Sequence, residues 1–497
     1  MDKFEKLRAA SLIAAVCFLY VGTADRAASA REFEWCAFSK SRCDTRADAS
    51  EIHALRDDGN ATATHDSRIA AATAPGSVRL DNDCDQATTK LGGIPQHLRA
   101  LAATAKTIEG PQGIIVDFVP YPLPPYEGNP WSDWGEGLVA SNGRYYSAIG
   151  DHRGADGDSY LYEYDPTTKT LRAVGDVLGA YGAHRRGDWG YGKVHGQISQ
   201  GPCGQLYFHT YWGTRRGIEY GGSYTGDLLM RYDPVAQQLT SLGVPMPEMG
   251  SPSTQMWRAG GLFYGEANYP AGKGRPWPEG KMFWVYDLAK QQVVFRSPKL
   301  LDHDSGREIA VDLKGRAYYS GAGRDLLRYD PATNTQERVA SFPHDGKLRA
   351  SSDPALDGRI FMTTNQGGKG EYYAYLFDPQ AASLRELGLL PGDTADVAIS
   401  GSGEVAYFTP GAHGQGRKIG FPLMEIDRSG NIRTIVELGP IVDNAGGPYP
   451  AGTYSYSTDP ANPGDIYILA NAGPRGSDKA FGQPLLIVTH LPEAERR

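Results

Sequence analysis

The chain has 497 residues, of which 62 are glycine, 29 are tyrosine and 8 are tryptophan, and 22% are charged. Its formal net charge of −8 excludes a general polyanion binder such as a nucleic-acid-binding protein, although an acidic sugar polymer could still bind a locally basic pocket. This length is typical of two or three ordinary domains, but a β-propeller can reach it as one domain because blades are added around an axis.

The first 30 residues are typical of a secretory signal peptide. A basic start precedes an apolar stretch over residues 9–24, and the small residues Ala28, Ser29 and Ala30 follow at the position that a signal peptidase reads. The apolar stretch is shorter than the ~20 residues of a membrane-spanning helix. We therefore expect a mature protein that is secreted or periplasmic and is not attached to a membrane.

The cysteines agree with export. Removal of the signal leaves four cysteines, and an even number in an oxidising compartment favours disulfides over metal thiolates. The predicted pairing is Cys36 with Cys43 and Cys84 with Cys203, which would clip the N-terminal segment to the rest of the chain. The sequence alone does not prove this connectivity.

A repeated strand pattern is the strongest indication of the fold. Six times along the chain, a short apolar strand ends in an aromatic or apolar residue followed by aspartate, and four of the six copies add proline. Proline ends the ladder of strand hydrogen bonds, and aspartate can bond to the backbone of the turn. The spacing of the copies is close to the ~40–50 residues of a propeller blade. The aspartates are Asp165, Asp233, Asp287, Asp330, Asp378 and Asp427.

A further strand at residues 485–489 lacks the aspartate but lies one blade further on, which raises the number of blades to seven. We expect strands from both chain ends to close the last blade, because closure removes exposed sheet edges. The sequence therefore predicts an all-β, seven-bladed β-propeller over residues 111–497, after the signal peptide at 1–30 and a partly irregular N-terminal extension at 31–110. A set of unrelated hairpins in a β-sandwich is the alternative.

The first two blades contain side chains suited to carbohydrate chemistry. Four of the eleven histidines, namely His152, His184, His195 and His209, fall within 58 residues. Histidine can transfer protons near neutral pH, aromatic rings offer flat faces to sugars, and arginine or lysine can hold a carboxylate. The neighbouring residues that we predict to contact substrate are Arg153, Lys193, Tyr211, Trp212 and Arg215.

Metal binding is a second interpretation of the histidines. The sequence has no HExxH motif, no paired CxxC and no His-x-His run, so spacing identifies no ligand set. A metal held by distant blades, for example through His209, His303 or His413, stays open.

Several short motifs resemble those of seven-bladed propeller polysaccharide lyases, in particular ulvan lyases and rhamnose–glucuronate lyases. The similarity in architecture covers about residues 128–490 and is sharpest over residues 131–213. The motifs are Ser132-Asp133-Trp134-Gly135, Gly150-Asp151-His152, the repeated Tyr-Asp-Pro strand, Gly192-Lys193-Val194-His195-Gly196 and Thr210-Tyr211-Trp212-Gly213.

This resemblance implies β-elimination from a polysaccharide that contains uronic acid. The reaction needs a positive group or metal at the uronate carboxylate, a base for the C5 proton and an acid for the departing O4 oxygen. The resemblance implies two histidines, a tyrosine and an arginine in chain order, and it leaves a zinc or calcium ion open. The residues that fit this order are His195, His209, Tyr264 and Arg275, with Tyr211 as the rival of His209, Arg258 as the rival of Arg275 and His152 lining the substrate groove.

Two other functions fit the same scaffold, because a fold does not determine a reaction. A non-catalytic propeller that binds glycan or protein would tolerate loss of His195. A glycoside hydrolase would use two carboxyl groups at a defined separation. The expected partner of the lyase, or of the hydrolase, is an acidic polysaccharide, and we expect a monomer. The candidate carboxyl residues are Asp133, Glu136, Asp151, Asp188, Glu219 and Glu266.

Overall fold

A computed structural model describes residues 92–211, 224–268, 282–298, 307–365 and 370–497. Within these ranges the strands form seven antiparallel sheets, which are the blades of a β-propeller. The all-β, seven-bladed fold predicted from the repeat is therefore confirmed.

Thirty strands are described, and they are numbered in chain order. The first fifteen are β1 (Ala102–Thr104), β2 (Lys106–Glu109), β3 (Ile115–Pro120), β4 (Leu138–Val139), β5 (Tyr145–Gly150), β6 (Ser159–Asp165), β7 (Thr170–Asp176), β8 (Ser199–Gln200), β9 (Leu206–His209), β10 (Leu229–Asp233), β11 (Gln238–Ser241), β12 (Gly250–Trp257), β13 (Leu262–Asn268), β14 (Met282–Asp287) and β15 (Gln292–Arg296). The other fifteen are β16 (Ala310–Val311), β17 (Ala317–Ser320), β18 (Asp325–Asp330), β19 (Thr335–Ser341), β20 (Lys347–Ser351), β21 (Ile360–Asn365), β22 (Tyr373–Asp378), β23 (Ser383–Leu389), β24 (Ala398–Ile399), β25 (Val405–Phe408), β26 (Pro422–Asp427), β27 (Ile432–Glu437), β28 (Pro450–Thr458), β29 (Asp465–Ala472) and β30 (Leu485–His490).

Blade 1 consists of β4–β7 with β1 at its outer edge, and each of blades 2 to 6 consists of the next four strands. Blade 7 combines β28–β30 with β3 and β2. Two short α-helices follow outer strands, α1 (Val177–Tyr181) after β7 and α2 (Leu438–Asn444) after β27. Single 3-10 turns lie at Gln96–Leu98, Pro111–Gly113, Arg258–Gly260, Gly416–Ile419 and Glu493–Glu495.

The repeated aspartate ends the third strand of blades 1 to 6. Its carboxylate accepts hydrogen bonds from the backbone of the following turn: Asp165 from Thr167 N at 2.9 Å and Asp233 from Val235 N at 2.9 Å, for example. This is the turn-stabilising role expected of aspartate at a strand end. The repeat therefore reflects a hydrogen bond from the aspartate to the turn that follows the third strand, which blades 1 to 6 have in common.

The ring closes where the two ends of the described chain meet. Strand β3 pairs with β30 over six residues, from Ile115 opposite His490 to Pro120 opposite Leu485. The predicted closure of the last blade by both chain ends is confirmed. Strands β1 and β2 fall within residues 102–109, which the sequence assigned to the N-terminal extension, and they add outer strands to blades 1 and 7.

Aromatic and aliphatic side chains fill the space between neighbouring blades. Tyr146 of blade 1 packs in one buried cluster with Phe208 and Met230 of blade 2. Phe283 of blade 3 stacks on Tyr319 of blade 4, with ring centroids 4.2 Å apart and planes 5° from parallel. Burying each such side chain stabilises the fold by roughly 1.5–3 kcal/mol, so each blade fixes the orientation of the next.

Some predictions concern residues outside the described ranges. The signal peptide, Cys36, Cys43 and Cys84 lie there, so the predicted disulfide pairing stays a prediction, although Cys203 is itself disulfide-bonded. No helix within the described ranges is both long enough and apolar enough to cross a bilayer.

A charged clamp lies across the closing blade. The ring of His490 at the end of β30 contacts Asp465 at 2.8 Å and Asp117 at 3.1 Å, and Asp117 also accepts from Lys169 at 2.9 Å. Burial lowers the pKa of His490, but the two carboxylates outweigh burial and raise it to about 9. Burial opposes ionisation of Asp117, but hydrogen bonds from His490, Thr107 and Lys169 lower its pKa to about 2.

The clamp predicts a pH-dependent contribution to stability. A histidine pKa raised above the unfolded value of 6.5 stabilises fully below 6.5 and loses this effect as pH rises through about 9. The lowered pKa of Asp117 stabilises above 3.8 and loses its effect as pH falls through about 2. His490→Gln should therefore cost on the order of 2 kcal/mol of unfolding free energy between about pH 4 and 6.5. The cost should decline as the pH rises toward about 9 and be much smaller above it, as measured by urea denaturation.

His344→Gln is the matched control, because His344 forms a similar pair with Glu386 but both side chains are 39% exposed. It should change the free energy of unfolding little, both below and above pH 9. An equal loss for His490→Gln on both sides of pH 9 would show that its ring contributes packing and not charge.

Candidate functional site

The indole of Trp134 is the centre of the candidate site. Trp134 precedes β4, and its Nε1 donates to Ser132 Oγ at 2.7 Å. The neighbouring backbone is fixed by Asn471 of blade 7, whose amide exchanges hydrogen bonds with the backbone N and O of Asp133 at 2.8 Å. The motif that contains Trp134 is therefore anchored to the closing blade.

Close backbone approaches explain two glycines of the quoted motifs. A Cβ at Gly135 would lie 2.6 Å from the carbonyl oxygen of Gly196, and a Cβ at Gly192 would lie 2.2 Å from that of Asp151. Neither distance allows a side chain. Glycine thus lets the segment around His195 pack directly against the segments that carry Trp134 and His152.

Three imidazoles from three different segments surround Trp134. The ring centroid of His152 lies 5.5 Å from that of Trp134, and that of His413 lies 5.7 Å away. His195 is nearly parallel to the indole at 6.3 Å, with 12° between the planes. We call these three histidines, with Trp134 and the side chains described next, the Trp134 cluster.

Cationic side chains complete the cluster. The Lys193 Nζ lies 4.0 Å from the centroid of Trp134 and 5.4 Å from that of Tyr211. The guanidinium carbon of Arg349 lies 5.5 Å from the ring of Tyr454, which itself packs 5.0 Å from Trp134. Aromatic faces attract cations in this arrangement, so the rings hold the positive charges beside the histidines.

The proton on His195 has a defined position. Its Nδ1 lies 2.6 Å from the carbonyl oxygen of Pro252. A carbonyl can only accept, so Nδ1 carries the hydrogen and Nε2 has a lone pair that can accept a proton. Burial and the charges of Lys193 and Arg307 lower the pKa of His195 well below its usual value. His195 is therefore neutral near pH 7 and ready to act as a base.

His152 is held neutral for the same reasons. Burial and the charge of Lys193 lower its pKa well below the usual value. A neutral imidazole can donate one hydrogen bond and accept another, which suits contact with a sugar hydroxyl.

A buried carboxylate, Asp393, links the cations to His413. It accepts from Arg349 Nε at 3.2 Å and from Asn365 Nδ2 at 3.2 Å, and its Oδ2 lies 3.5 Å from His413 Nδ1. Burial opposes ionisation, but Arg349 and His413 hold the pKa of Asp393 below its usual range. Asp393 is therefore charged, while Arg349 Nη2 is buried and has no hydrogen-bond partner among the described residues.

A second group of buried carboxyls includes Glu308 and Asp396, which interact electrostatically with Arg349. Burial raises the pKa of Glu308 to about 8 and that of Asp396 to about 7. Glu308 accepts from Ser351 Oγ at 2.5 Å and Asp396 from Val397 N at 2.6 Å. Burial and the nearby Asp396 and Glu308 raise the pKa of Glu136 as well. Burial therefore favours the protonated form of Glu308 and Glu136 near neutral pH and leaves Asp396 only partly ionised, which reduces the negative charge beside the cluster.

Several predicted site residues come together here. The structure places His152, His195, Lys193 and Tyr211 in the Trp134 cluster, with the rings of His195 and Tyr211 only 5.2 Å apart. Arg153 lies at the edge of this region, where its exposed guanidinium covers Tyr126 at 5.2 Å.

Other predicted residues lie elsewhere. His209 is fully buried between blades 2 and 3, where Nδ1 bonds to Thr210 O at 2.7 Å and the ring packs on Trp284. Tyr264 is also fully buried and donates to Gly315 O at 2.6 Å. Arg258 is exposed and directly follows β12, whereas Pro252, the partner of His195, lies near the other end of that strand. His209 and Tyr264 thus lie outside the Trp134 cluster, in the packing between blades, and their predicted catalytic roles stay predictions.

Four predicted residues, Trp212, Arg215, Arg275 and His303, fall outside the described residues, as does Glu219. Within the described ranges, no group of three His, Cys, Asp or Glu side chains is arranged to hold a metal ion. His413 contacts the cluster through its ring and lies beside Asp393, and the predicted metal among His209, His303 and His413 stays a prediction.

Sequence reasoning missed Arg349, Asp393 and Tyr454 entirely. Arg349 lies on β20, Asp393 between β23 and β24, and Tyr454 on β28, and none has a local motif that marks it. One signal was present for His413, which lies between Gly411 and Gly414 in an otherwise regular repeat. Glycines on both sides of a histidine indicate an unusual backbone, and such backbones are common at functional sites.

No family model matches the chain, and no curated protein matches it in sequence. Solved structures share the fold at low identity. A fungal alcohol oxidase in complex with copper is 12% identical, with 78% of this chain and 77% of that chain covered and a TM-score of 0.51. An oligogalacturonate lyase in complex with manganese is 13% identical, with coverage of 79% and 98% and a TM-score of 0.49. Another, from Vibrio parahaemolyticus, is 9% identical, with coverage of 80% and 99% and a TM-score of 0.47.

The likeness to the oxidase shows a shared propeller scaffold and nothing finer. The two likenesses to lyases, at lower TM-scores, carry no argument. The chemistry of this chain has to be inferred from its own residues.

The cluster makes a testable electrostatic prediction. Lys193→Met keeps an apolar side chain over Trp134 but removes the positive charge. The pKa values of His152 and His195 should therefore rise toward 6.5, but they should not reach it because both rings stay buried. Imidazole NMR titration would measure both. Lys290→Met, which removes an exposed lysine paired with Asp287, should leave them unchanged. An unaltered His152 would contradict the coupling to Lys193.

Proposed function

We propose that this propeller is a polysaccharide lyase that cleaves a chain containing uronic acid by β-elimination. The observation that carries the proposal is the convergence of three imidazoles and Lys193 on the indole of Trp134, with Arg349 over Tyr454, which packs against that indole. The motifs quoted from residues 131–213 support it as a resemblance. We also propose export to the periplasm or the medium, where such polymers are found, on the strength of the first 30 residues.

The cations suit a carboxylate ligand. A uronate loses its C5 proton only if its carboxylate charge is neutralised, because the negative charge that develops at C5 spreads onto that group. Lys193 supplies a positive charge, and Arg349 Nη2 is a buried donor without a hydrogen-bond partner in the described part of the chain. A bound carboxylate would satisfy that donor and give a charge-assisted hydrogen bond.

His195 suits the base. Its Nδ1 is occupied by Pro252 O, its Nε2 can accept, and its pKa is low enough to keep the ring neutral. The surrounding positive charges also disfavour an imidazolium, so the proton that His195 removes must leave it readily. No step of this mechanism depends on a metal ion.

Hydrolysis is a second candidate because of one observation. The raised pKa of Glu308, about 8, would let it donate a proton to a glycosidic oxygen. A hydrolase also needs a second carboxyl at roughly 5 Å or more. Glu136 is instead hydrogen-bonded to Glu308, which is too close for a sugar to enter between them, so we favour elimination.

The direct test is cleavage of a panel of acidic polysaccharides by the full chain. The expected product is an unsaturated uronate, seen by its ultraviolet absorbance, and His195→Gln should lower kcat by about 10²–10⁴-fold because a general base is lost. His344→Gln, at an exposed position, should retain full activity. Carboxyl-reduced polysaccharide should not be cleaved, because its C5 proton is no longer acidic.

The other functions give different results. New reducing ends without ultraviolet absorbance, lost on Glu308→Gln, would indicate hydrolysis. Saturable binding without any product, unaffected by His195→Gln, would indicate a non-catalytic glycan-binding propeller. Either result would overturn the lyase proposal.

A further inference from the structure

A partly exposed phenylalanine, Phe481, lies at the edge of the Trp134 cluster and has no part in the reaction described above. It belongs to the loop over residues 473–484, which joins β29 to β30 in blade 7. Its ring is stacked on the indole of Trp134, with centroids 5.6 Å apart and 12° between the planes. Trp134 is only 6% exposed, whereas Phe481 keeps part of its surface open to solvent. The cluster therefore extends to an aromatic ring that a ligand can reach.

The backbone on both sides of Phe481 fixes the place of this ring. The N–H of Gly482 donates to the carbonyl oxygen of Trp131 at 2.9 Å. On the other side, a Cβ at Gly414 would lie only 2.5 Å from the Cβ of Ala480, so the loop lies directly against the loop between β25 and β26. Both neighbours of Phe481 thus contact segments outside blade 7. A ring that is already in place costs a ligand less entropy than one that binding has to order.

Apolar packing alone does not account for the open part of the ring. The buried group around the indole consists of Trp134, Ala395, Ala412 and Tyr454, and Phe481 packs on the outside of it. A phenylalanine contributes most to stability when it is fully buried, so this position leaves aromatic surface that the fold does not use. Such a surface beside polar side chains suits a sugar, whose C–H groups pack on the ring while its hydroxyls reach the polar groups.

The ring of Phe481 is also aligned with the proposed base. His195 makes the same angle of 12° with the plane of the indole, at a centroid distance of 6.3 Å. The rings of Phe481 and His195 are therefore at most about 12 Å apart and within about 24° of parallel. A short oligosaccharide spans such a distance. One of its sugars can stack on Phe481 while a neighbouring uronate presents its C5 proton to His195.

We propose that Phe481 is a specificity-determining residue, a platform on which a pyranose ring of the polysaccharide stacks beside the uronate that reacts. Its effect on cleavage rests on the proposed lyase function, whereas the stacking itself requires only that the propeller binds a polysaccharide. The platform selects sugars that present a face of C–H groups. An axial hydroxyl on that face would be desolvated against the ring without a hydrogen bond.

The kinetics of two Phe481 variants test the platform. Phe481→Leu keeps an apolar side chain against Trp134 but removes the flat face. On an acidic polysaccharide that the wild type cleaves, it should raise KM about tenfold and leave kcat within about twofold, because only binding is lost. Phe481→Trp keeps a flat face, so its KM should stay within about threefold of the wild-type value.

Phe295→Leu is the matched control. Phe295 is also half-buried and packs on another aromatic ring, that of Tyr329 at 4.7 Å, but it lies on β15, the outer strand of blade 3. Its replacement should change neither KM nor kcat.

Salt separates the platform from the cations of the cluster. Stacking involves no net charge, so the ratio of the KM values of Phe481→Leu and wild type should be the same at low and high ionic strength. The corresponding ratio for Lys193→Met should fall, because salt screens the attraction between Lys193 and a carboxylate. A ratio for Phe481→Leu that also falls with salt would show that the variant acts through the charges, and the platform would be overturned.

Binding measured without cleavage keeps this proposal separate from the lyase function. The measurement is affinity electrophoresis of His195→Gln, with and without Phe481→Leu, in gels that contain alginate, polygalacturonate or hyaluronan. If the wild type forms no unsaturated product but Phe481→Leu weakens binding to one of these polymers about tenfold, the lyase function fails and the platform stands.

Other results overturn the platform. If the wild type cleaves but Phe481→Leu leaves KM unchanged, or if Phe481→Trp loses as much as Phe481→Leu, the lyase function stands and Phe481 only packs on Trp134. If the chain neither cleaves nor binds any acidic polysaccharide, both proposals fail.

Discussion

The pairing of β3 with β30 is the interaction on which the rest of the structure depends. It joins residues almost the full described chain apart, such as Asp117 and His490, and it turns a row of sheets into a ring. The Trp134 cluster takes side chains from blades 1, 2, 5, 6 and 7 and from the segments before blades 1 and 2. None of these groups would be close to the others in an open array of blades. The chemistry of the site is therefore a property of the closed ring and not of any single blade.

Burial and charge act together in the cluster. The chain is acidic overall, yet the side chains that contact Trp134 itself are cationic or uncharged, and the ionised Asp393 is paired with Arg349. Burial keeps His152 and His195 uncharged and keeps protons on carboxyls such as Glu308, while the guanidinium of Arg349 keeps Asp393 ionised. Burial therefore favours the neutral form of each ionisable group, and a buried group stays ionised only where a counter-charge contacts it, as Arg349 contacts Asp393. A negatively charged ligand would therefore be attracted to the site although the protein as a whole carries a net negative charge.

Much of the fold could be predicted from the sequence because blades 1 to 6 stabilise the turn after their third strand with the same residue type. The turn after Asp165 needs the same carboxylate as the turn after Asp427, so the requirement repeats visibly along the chain. The site was predicted only in part. His195 and Lys193 lie in one motif, whereas Arg349 and Asp393 reach them through ring geometry that no linear pattern records. His209 lies in the same sequence region as His195 but ends in the packing between blades, because a strand alternates its side chains between opposite faces.

The aspartate turns and the Trp134 cluster lie at opposite ends of the strands. In blade 1, β5 delivers His152 at one end, and the antiparallel β6 ends with Asp165 at the other. The residues that specify the architecture are thus segregated from those that perform chemistry. The loops at the end of the strands that carries the Trp134 cluster can therefore change during evolution without disturbing the aspartate turns at the other end, which keep the strands in register. Related chains would then be expected to keep the aspartates while exchanging the histidines, which would make sequence identity a poor guide to what any of them catalyses.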